Sequence, residues 1–389
     1  MKKSTSFLIR GLEKLAEMCL RAESRLILHQ GRQEGFINHV MDSEFDYKPY
    51  LKQTNPFFKQ WGFDFSMLES AYYEKVNGIK SDYYIPYTLF THYLIPFLNG
   101  DDKYVDKNIL RKVLGAGNPN KKVKFTMAEQ VVYNMRGILY DGNDDCISID
   151  KAVSIVMNYP KDIIVKPTLS TTWGKGVIKL EVKDKNEELV RQLFARYHKD
   201  FSFEECITQH PDMATLNPTS LNTTRICTYR RPNGEVKYLF AIQRYGKEGE
   251  VIDNASAGGN FVGVSPDGTL NREVRKYKTL KTERLSSHAV EKIPHFEQMK
   301  KVAIYLHCKL PDINYVGWDF SINPNGIPVV IELNHRAAVE IAQIANGPAF
   351  SKKDLEELMP HVKKWKVDCK ASPYISFEDE RGMGAILRK

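Results

Sequence analysis

Cysteine is sparse and scattered. Cys19, Cys146, Cys206, Cys227, Cys308 and Cys369 form no CxxC pair and no tight cluster. That excludes a disulfide frame or a zinc site and implies reduced thiols. Long apolar runs are also missing. The most lipophilic stretch, Tyr83–Leu98, is interrupted by Pro86, His92 and Pro96 and falls short of the roughly 20 residues a bilayer helix needs. The N-terminal residues have no apolar core of the secretory kind, so a cytoplasmic location is expected. There is no internal repeat, no low-complexity tract, and no RRM, helix-turn-helix or zinc-finger pattern, so nucleic acid is not an expected partner. Neither a Walker A nor a GxGxxG pattern occurs.

What remains is an ordinary globular composition. With 389 residues, 42% hydrophobic and 27% charged, the chain can build two or three cores, and extensive disorder is excluded. The formal charge of +8 suits an anionic substrate such as a nucleotide, a phosphate or an acidic glycan. Residues 1 to about 105 read as mainly helical. Leu8, Leu12, Leu15, Cys19, Ala22 and Leu26 recur at spacings of four and three, one face of a helix. Arg10, Lys14, Arg21 and Arg25 lie off that stripe. The helix either packs on the rest of the protein or rests as a weak peripheral contact on an anionic membrane. From about residue 106 strands, hairpins and separated helices take over: a strand Ile163–Pro167, a second over Gly176–Val182, and helices over Asn186–Tyr197 and Phe296–Cys308. Two hairpins turn at Asn233-Gly234 and Asn325-Gly326, where both turn positions need positive φ. The tail after about Lys366 is basic and expected to be loosely held.

Three constellations carry chemistry. With Asn325-Gly326 as a two-residue loop, Asp319 faces Glu332 across the second hairpin, with Cβ atoms about 5 Å apart. Asn334 shares the face of Glu332, and its partner Gly317 leaves room above it. Two carboxylates and an amide carbonyl would repel one another without a cation, and hard oxygens suit Mg²⁺; the alternative is a solvated outer face. Next, Lys166 ends a buried strand and leads into the loop Pro167–Gly176. Backbone N–H groups and hydroxyls there (Ser170, Thr171, Gly174, Gly176) can wrap phosphate oxygens, though such a loop is also a plain turn elsewhere. Finally, with Asn233-Gly234 as the loop, Arg225 faces Ile242 and lies diagonal to Arg244, about 7–8 Å away, an arrangement that can clamp a polyanion.

In their order along the chain these pieces resemble the ATP-grasp superfamily. Within it they look most like the sugar-transfer-associated proteins found with bacterial capsule and exopolysaccharide genes. The resemblance covers roughly residues 80–350. It rests on Asp106-Lys107-Asn108, Val165-Lys166-Pro167, Glu204–Pro211, Leu216-Asn217-Pro218, Asn222–Ile226, and Asp319 with Glu332-Leu333-Asn334. It implies an α+β fold of two lobes clamping ATP, with a mainly helical region over 1–105, an N-terminal lobe over 106–203, a C-terminal lobe over 204–365 and a tail over 366–389. It also implies roles. Lys107 and Lys166 would contact ATP phosphates. Glu204, Glu205 and Ile207 would form the adenine-reading hinge, with Gln209 beside the ribose. Asp319, Glu332 and Asn334 would hold Mg²⁺, with Mn²⁺ as an alternative. Arg225 and Arg244 would stabilise the transferring phosphoryl group, and Asn254 matches a polar loop position of related ligases. Cys206 reads as core and His210 as structural, while His335 and Arg336 are either acceptor contacts or a solvated turn. The activity implied is an ATP-dependent ligase joining a carboxylate to an amine through an acylphosphate, in surface-glycan synthesis. A kinase acting on a sugar hydroxyl keeps the same fold, and a nucleotide-binding partner without turnover is the reading of another class.

Overall fold

The computed structural model describes residues 45–100, 106–116, 123–169, 176–246, 259–276 and 279–371. The expected helix over residues 8–26, Ser170, Thr171 and Gly174 of the phosphate loop, and Asn254 lie outside them. Two sheets organise the chain. The larger has eight strands in the order β1-β13-β12-β7-β8-β9-β10-β11. These are β1 (Thr126–Met127), β7 (Thr223–Arg230), β8 (Val236–Tyr245), β9 (Asn260–Val264), β10 (Leu270–Lys276), β11 (Thr279–Arg284), β12 (Tyr315–Ile322) and β13 (Pro328–Asn334). The smaller has the order β3-β2-β6-β4-β5, built from β2 (Gln130–Met135), β3 (Ile138–Asp141), β4 (Ile163–Pro167), β5 (Ile178–Leu180) and β6 (Phe201–Glu205).

The small sheet alternates as a half-covered sheet must. Ile163, Val165, Phe201 and Phe203 turn to a core shared with two helices, α3 (Ile149–Asn158) and α4 (Glu187–Tyr197). Ile164, Lys166 and Glu204 turn the other way and line a cavity between the sheets. Both helices begin where an N-cap permits: Ser148 accepts from Lys151 N–H and Asn186 from Leu189 N–H.

The large sheet is covered on both faces. One face buries Ile226, Ala241, Trp318 and Phe320 with α5 (Phe296–His307) and with Leu110 and Leu114 of α2 (Lys107–Ala116). Residues 107–116 and 123–127, expected in the first lobe, thus contribute to this core, and β1 pairs in parallel with β13. The other face buries Cys227, Tyr229, Phe240, Ile242 and Tyr315. Its cover comes from residues 45–98, including α1 (Leu68–Asn77), and from α6 (Val339–Asn346) and α7 (Lys352–Ala371). The helical region therefore shares the cover of this face with α6 and α7. Asn99 pins it: its Oδ1 accepts from Asn314 N–H and Tyr315 N–H, and its Nδ2 donates to the carbonyls of Tyr315 and His335. α7 runs on through Lys366, which donates to Gly62 O and sits over the Phe63 ring, so the expected tail begins later than 366. No helix among the described residues is long and apolar enough to cross a membrane.

Both hairpins close differently from expectation and reach the expected register. In the second, Asn323 N–H donates to Ile327 O and Gly326 N–H to Asn323 O, giving a three-residue loop, Pro324-Asn325-Gly326, with Gly326 at φ +71°. That shifts the pairing by one, so Phe320 faces Val330. A bulge at Ile331 then restores it, and Asp319 faces Glu332 after all. The first hairpin repeats the device. Its loop is Pro232-Asn233-Gly234, with Gly234 at φ +88°. A bulge at Leu239 returns Arg225 to Ile242.

Beneath the large sheet His307 is buried in a directed chain of hydrogen bonds. Ile313 O can only accept, so His307 Nε2, 2.9 Å away, carries the proton. Nδ1 then accepts from Thr228 Oγ1 at 2.7 Å, and Thr228 accepts from Trp318 Nε1. Burial pushes the imidazole down from 6.5 to about 4. The folded protein refuses a proton that the unfolded chain binds, so this site contributes nothing above pH 6.5 and loses stability as pH falls from 6.5 to about 4. The loss should reach about 3 kcal/mol at the acid end. Urea midpoints at pH 7 and 4.5, with the His307 ring resonance followed by NMR, test this. A ring titrating near 6.5 would show that it is solvated.

Candidate functional site

The site grows from one cross-strand row. Arg225 on β7 faces Asp319 on β12, which faces Glu332 on β13. Asn334, two residues on, shares the face of Glu332. Its Nδ2 lies 3.2 Å from Asp319 Oδ2 and 3.3 Å from Glu332 Oε1. The expected metal trio is therefore assembled by the fold. Hard oxygen donors on one sheet face fit a Mg²⁺ ion. The expected room above Gly317 is absent: a Cβ there would lie 2.2 Å from Ala337 Cβ and 3.5 Å from Arg225 Cδ. Glycine is required because those groups have taken its space.

The carboxylates do not lack counter-charge. Arg225 grips Asp319 with two parallel bonds, Nε to Oδ1 and Nη2 to Oδ2, each 2.8 Å. Arg244 reaches the same Oδ2 at 2.9 Å while donating to Thr223 Oγ1. Asp319 is 1% exposed. Burial alone would raise its pKa, but the two guanidiniums outweigh it and hold the carboxyl well below the ordinary range. Glu332 Oε2 pairs with Lys107 Nζ at 2.9 Å. Burial would lower the lysine pKa, and the Glu332 charge reverses that and raises it. The expectation that only a metal could relieve the carboxylates thus gives way to a protein-borne balance. The two arginines, expected to clamp a polyanion, clamp Asp319.

Lys107 opens α2, whose N-terminus Asp106 caps by accepting from Asn108 N–H. The helix bridges the lobes. Asn108 binds Gln130 and Asn134 of β2 on the small sheet, and Leu110 and Leu114 pack on the large one. One turn on from Lys107, Arg111 lines the cavity and donates to Ala128 O.

The cavity between the sheets holds ≈ 460 Å³. Its walls are Ile164, Lys166 and Glu204 on one side and Val330 and Ile331 on the other, with residues 205–209 along the edge. Lys166 Nζ lies 2.7 Å from Glu204 Oε2. Burial would raise the Glu204 pKa, yet Lys166 and Arg111 hold it down, so this buried carboxylate is ionised. Ile207 lines the edge as expected. The Glu205 side chain turns away to Lys161 and Tyr159, leaving only its backbone for the cavity. Gln209 borders the cavity, but its amide is spent on the 217–222 loop. Nε2 donates to the carbonyls of Asn217 and Ser220, and Oε1 accepts from Asn222 N and Nδ2. It shapes the wall and has no donor to offer a ribose.

Gly176, at the end of the loop expected to hold phosphates, has φ +77° and lies against Pro167, so glycine is needed there on both counts. Cys206 is half-buried at the cavity edge, beyond the end of β6, and burial raises its thiol pKa. His210 caps a short helical turn, its Nδ1 accepting from Asp212 N–H. His335 gives its carbonyl to Asn99. Arg111, Lys179 and the Val330-Ile331 wall were missed from sequence. Arg111 was within reach, because it shares a helix face with Lys107 four residues earlier. The wall was not, because it depends on which strand of the large sheet meets the small one.

No curated protein matches the chain in sequence. Among solved structures it resembles the ADP complex of N5-carboxyaminoimidazole ribonucleotide synthetase, at 11% identity and TM-score 0.36, covering 61% of this chain and 46% of that one. The VanG D-Ala:D-Ser ligase of Enterococcus faecalis aligns at 12% identity and TM-score 0.40, over 66% and 61%. The ATP-grasp ligase PsnB with minimal precursor, Mg and ADP aligns at 15% identity and TM-score 0.36, over 67% and 59%. The chain thus spans less than half the length of the first and about three fifths of the others. Residues 106–358 match the family of sugar-transfer associated ATP-grasp proteins, a stretch that begins at the aspartate capping α2 and takes in the charged row and the cavity, and the chain belongs to that family.

Proposed function

We propose that the protein is an ATP-dependent ligase that activates a carboxylate and joins it to an amine, in the assembly of a bacterial surface glycan. The observation that carries this is the convergence of Lys107, Asp319, Glu332 and Asn334 beside an interlobe cavity whose cationic lining includes Lys166 and Arg111.

Ile164 and Ile331 provide apolar surface for a nucleobase, and the backbone of 205–207 gives it hydrogen-bonding edges. Lys166, Arg111 and Lys107 meet the phosphates. Asp319, Glu332 and Asn334 hold Mg²⁺, which when bound neutralises charge on the transferring phosphoryl group. Arg225, with Nε and Nη2 given to Asp319, keeps that ligand ionised and aimed, and Nη1 remains for a phosphoryl oxygen. A substrate carboxylate oxygen attacks the γ-phosphorus, the bond to the β–γ bridging oxygen breaks, and ADP leaves. The free-base amine then attacks the acyl carbon. Phosphate leaves with the acyl C–O bonding pair, and the amine proton passes to solvent. Rate enhancement comes from placing the reactants and from fixed charge rather than from a side-chain nucleophile.

Three outcomes test this reading. Without ligands, Asp319→Asn should cost about 3–5 kcal/mol, because it leaves two buried guanidiniums short of their counter-charge. Glu332→Gln, at a partly exposed pair held by one contact, should cost clearly less than Asp319→Asn. Urea denaturation of both variants measures the difference, and equal small losses would mean that Asp319 is not the buried keystone. Mg-ATP at a hundredfold excess over Kd should stabilise the wild type by about 2.7 kcal/mol. Glu332→Gln, which folds, should lose most of that thermal shift; an undiminished shift would remove Glu332 from the metal site. Hydroxylamine should divert the reaction to a hydroxamate, detected by mass spectrometry. ATP-dependent phosphorylation of a sugar hydroxyl without trapping would make the protein a kinase.

A further inference from the structure

The ion pairs of the charged row differ in a way that bears on how metal and nucleotide arrive. The Arg225, Arg244 and Asp319 side chains are 12%, 10% and 2% exposed. They lock together through a bidentate fork and a second guanidinium, and breaking such a set leaves an uncompensated buried charge. The Lys107 and Glu332 side chains are 30% and 29% exposed and share a single contact. A lysine is a mobile point charge on a flexible stem, and a partly exposed pair held by one contact costs less to part than the locked trio. Two carboxylates thus face three cationic side chains, and one of those three is exchangeable. Asn334 has the same double capacity. Its Nδ2 now points at both carboxylates, and half a turn of the amide would present its carbonyl oxygen as a ligand instead.

We infer, building on the nucleotide reading above, that Lys107 is an exchangeable counter-ion that occupies Glu332 until a polyphosphate draws it away, so that the protein takes up its divalent cation only together with nucleotide. In the absence of nucleotide the surplus positive charge opposes a second cation, and Glu332 is engaged. A triphosphate offers Lys107 a stronger partner, and the same movement frees Glu332. Lys107 lies in the fields of both Glu332 and Glu204, so it has to travel only from one wall of the cleft toward the other. Arg225 and Arg244 stay where they are.

The test is Mn²⁺ binding to the full chain, read as the free Mn²⁺ signal by electron paramagnetic resonance, with and without ADP. Wild type should show no saturable Mn²⁺ site without nucleotide up to about millimolar concentration and one site per chain with ADP. Lys107→Met should bind Mn²⁺ alone at least roughly tenfold more tightly than wild type, as expected for removing one adjacent charge. Lys107→Arg, which keeps the charge, should still bind no Mn²⁺ in the absence of ADP. Lys300→Met, whose lysine pairs with Glu297 on α5 far from the row, should also match wild type, which separates a local effect from net charge. Wild type that binds Mn²⁺ equally well with and without ADP overturns the exchange and leaves the nucleotide reading intact. Unchanged Mn²⁺ affinity in folded Lys107→Met does the same. No Mn²⁺ site under any condition, with no thermal shift from nucleotide, overturns both. Should Lys107→Met fail to fold, the wild-type pair of titrations decides the matter alone.

Discussion

Asp319 and its two arginines are the constraint around which the site is arranged. A carboxylate this deeply buried stays ionised only because β7 and β8 each send it a guanidinium. The bonds cross-link three neighbouring strands in the middle of the large sheet and aim the carboxylate at Glu332 on the fourth. An isolated charge there would be prohibitive and an isolated pair marginal. The trio is tolerable because the bidentate fork and the Thr223 hydroxyl satisfy most of its donors and acceptors. Everything more exposed than this trio, Lys107, Glu332 and Asn334, inherits its position from it.

Around that centre the protein uses amides to fix irregular backbone. Asn99 spends every hydrogen-bonding position of its amide on the start of β12 and the residue after β13. Gln209 and Asn222 together stitch the loop that borders the cavity. Asn108 ties α2 to the small sheet. These side chains let loops and helix starts near the site be held as firmly as strands, which is what a cleft between two lobes needs if its walls are to keep their spacing.

Much of this was legible in the sequence, though unevenly. Strand β4 and helices α4 and α5 follow from local patterning, and the pairings Asp319–Glu332 and Arg225–Ile242 were reached from the two Asn-Gly turns because a bulge in each hairpin offsets the extra loop residue. The roles of the long polar side chains were harder to see. Gln209 beside a hinge looks like a ligand contact until its four bonds to a loop eight to thirteen residues away are known. Arg225 and Arg244 look like an anion clamp until the sheet order places Asp319 on β12, directly opposite Arg225 and within reach of Arg244. Sequence spacing specifies neighbours along one hairpin. It does not specify which hairpin lies alongside, and charge balance at this site is settled between hairpins.

The hairpins also carry a parity argument. Each has an odd-length loop, Pro-Asn-Gly, and each carries one extra residue further along its return strand, Leu239 or Ile331. Two odd insertions make an even one, so the inside-outside alternation beyond the bulge is the one a tight two-residue turn would have produced. Each extra residue is absorbed where it stands: without Ile331, Val330 would still pair with Phe320 and Glu332 with Asp319, and without Leu239, Phe240 would still pair with Cys227 and Ile242 with Arg225, so the charged row does not hang on either bulge.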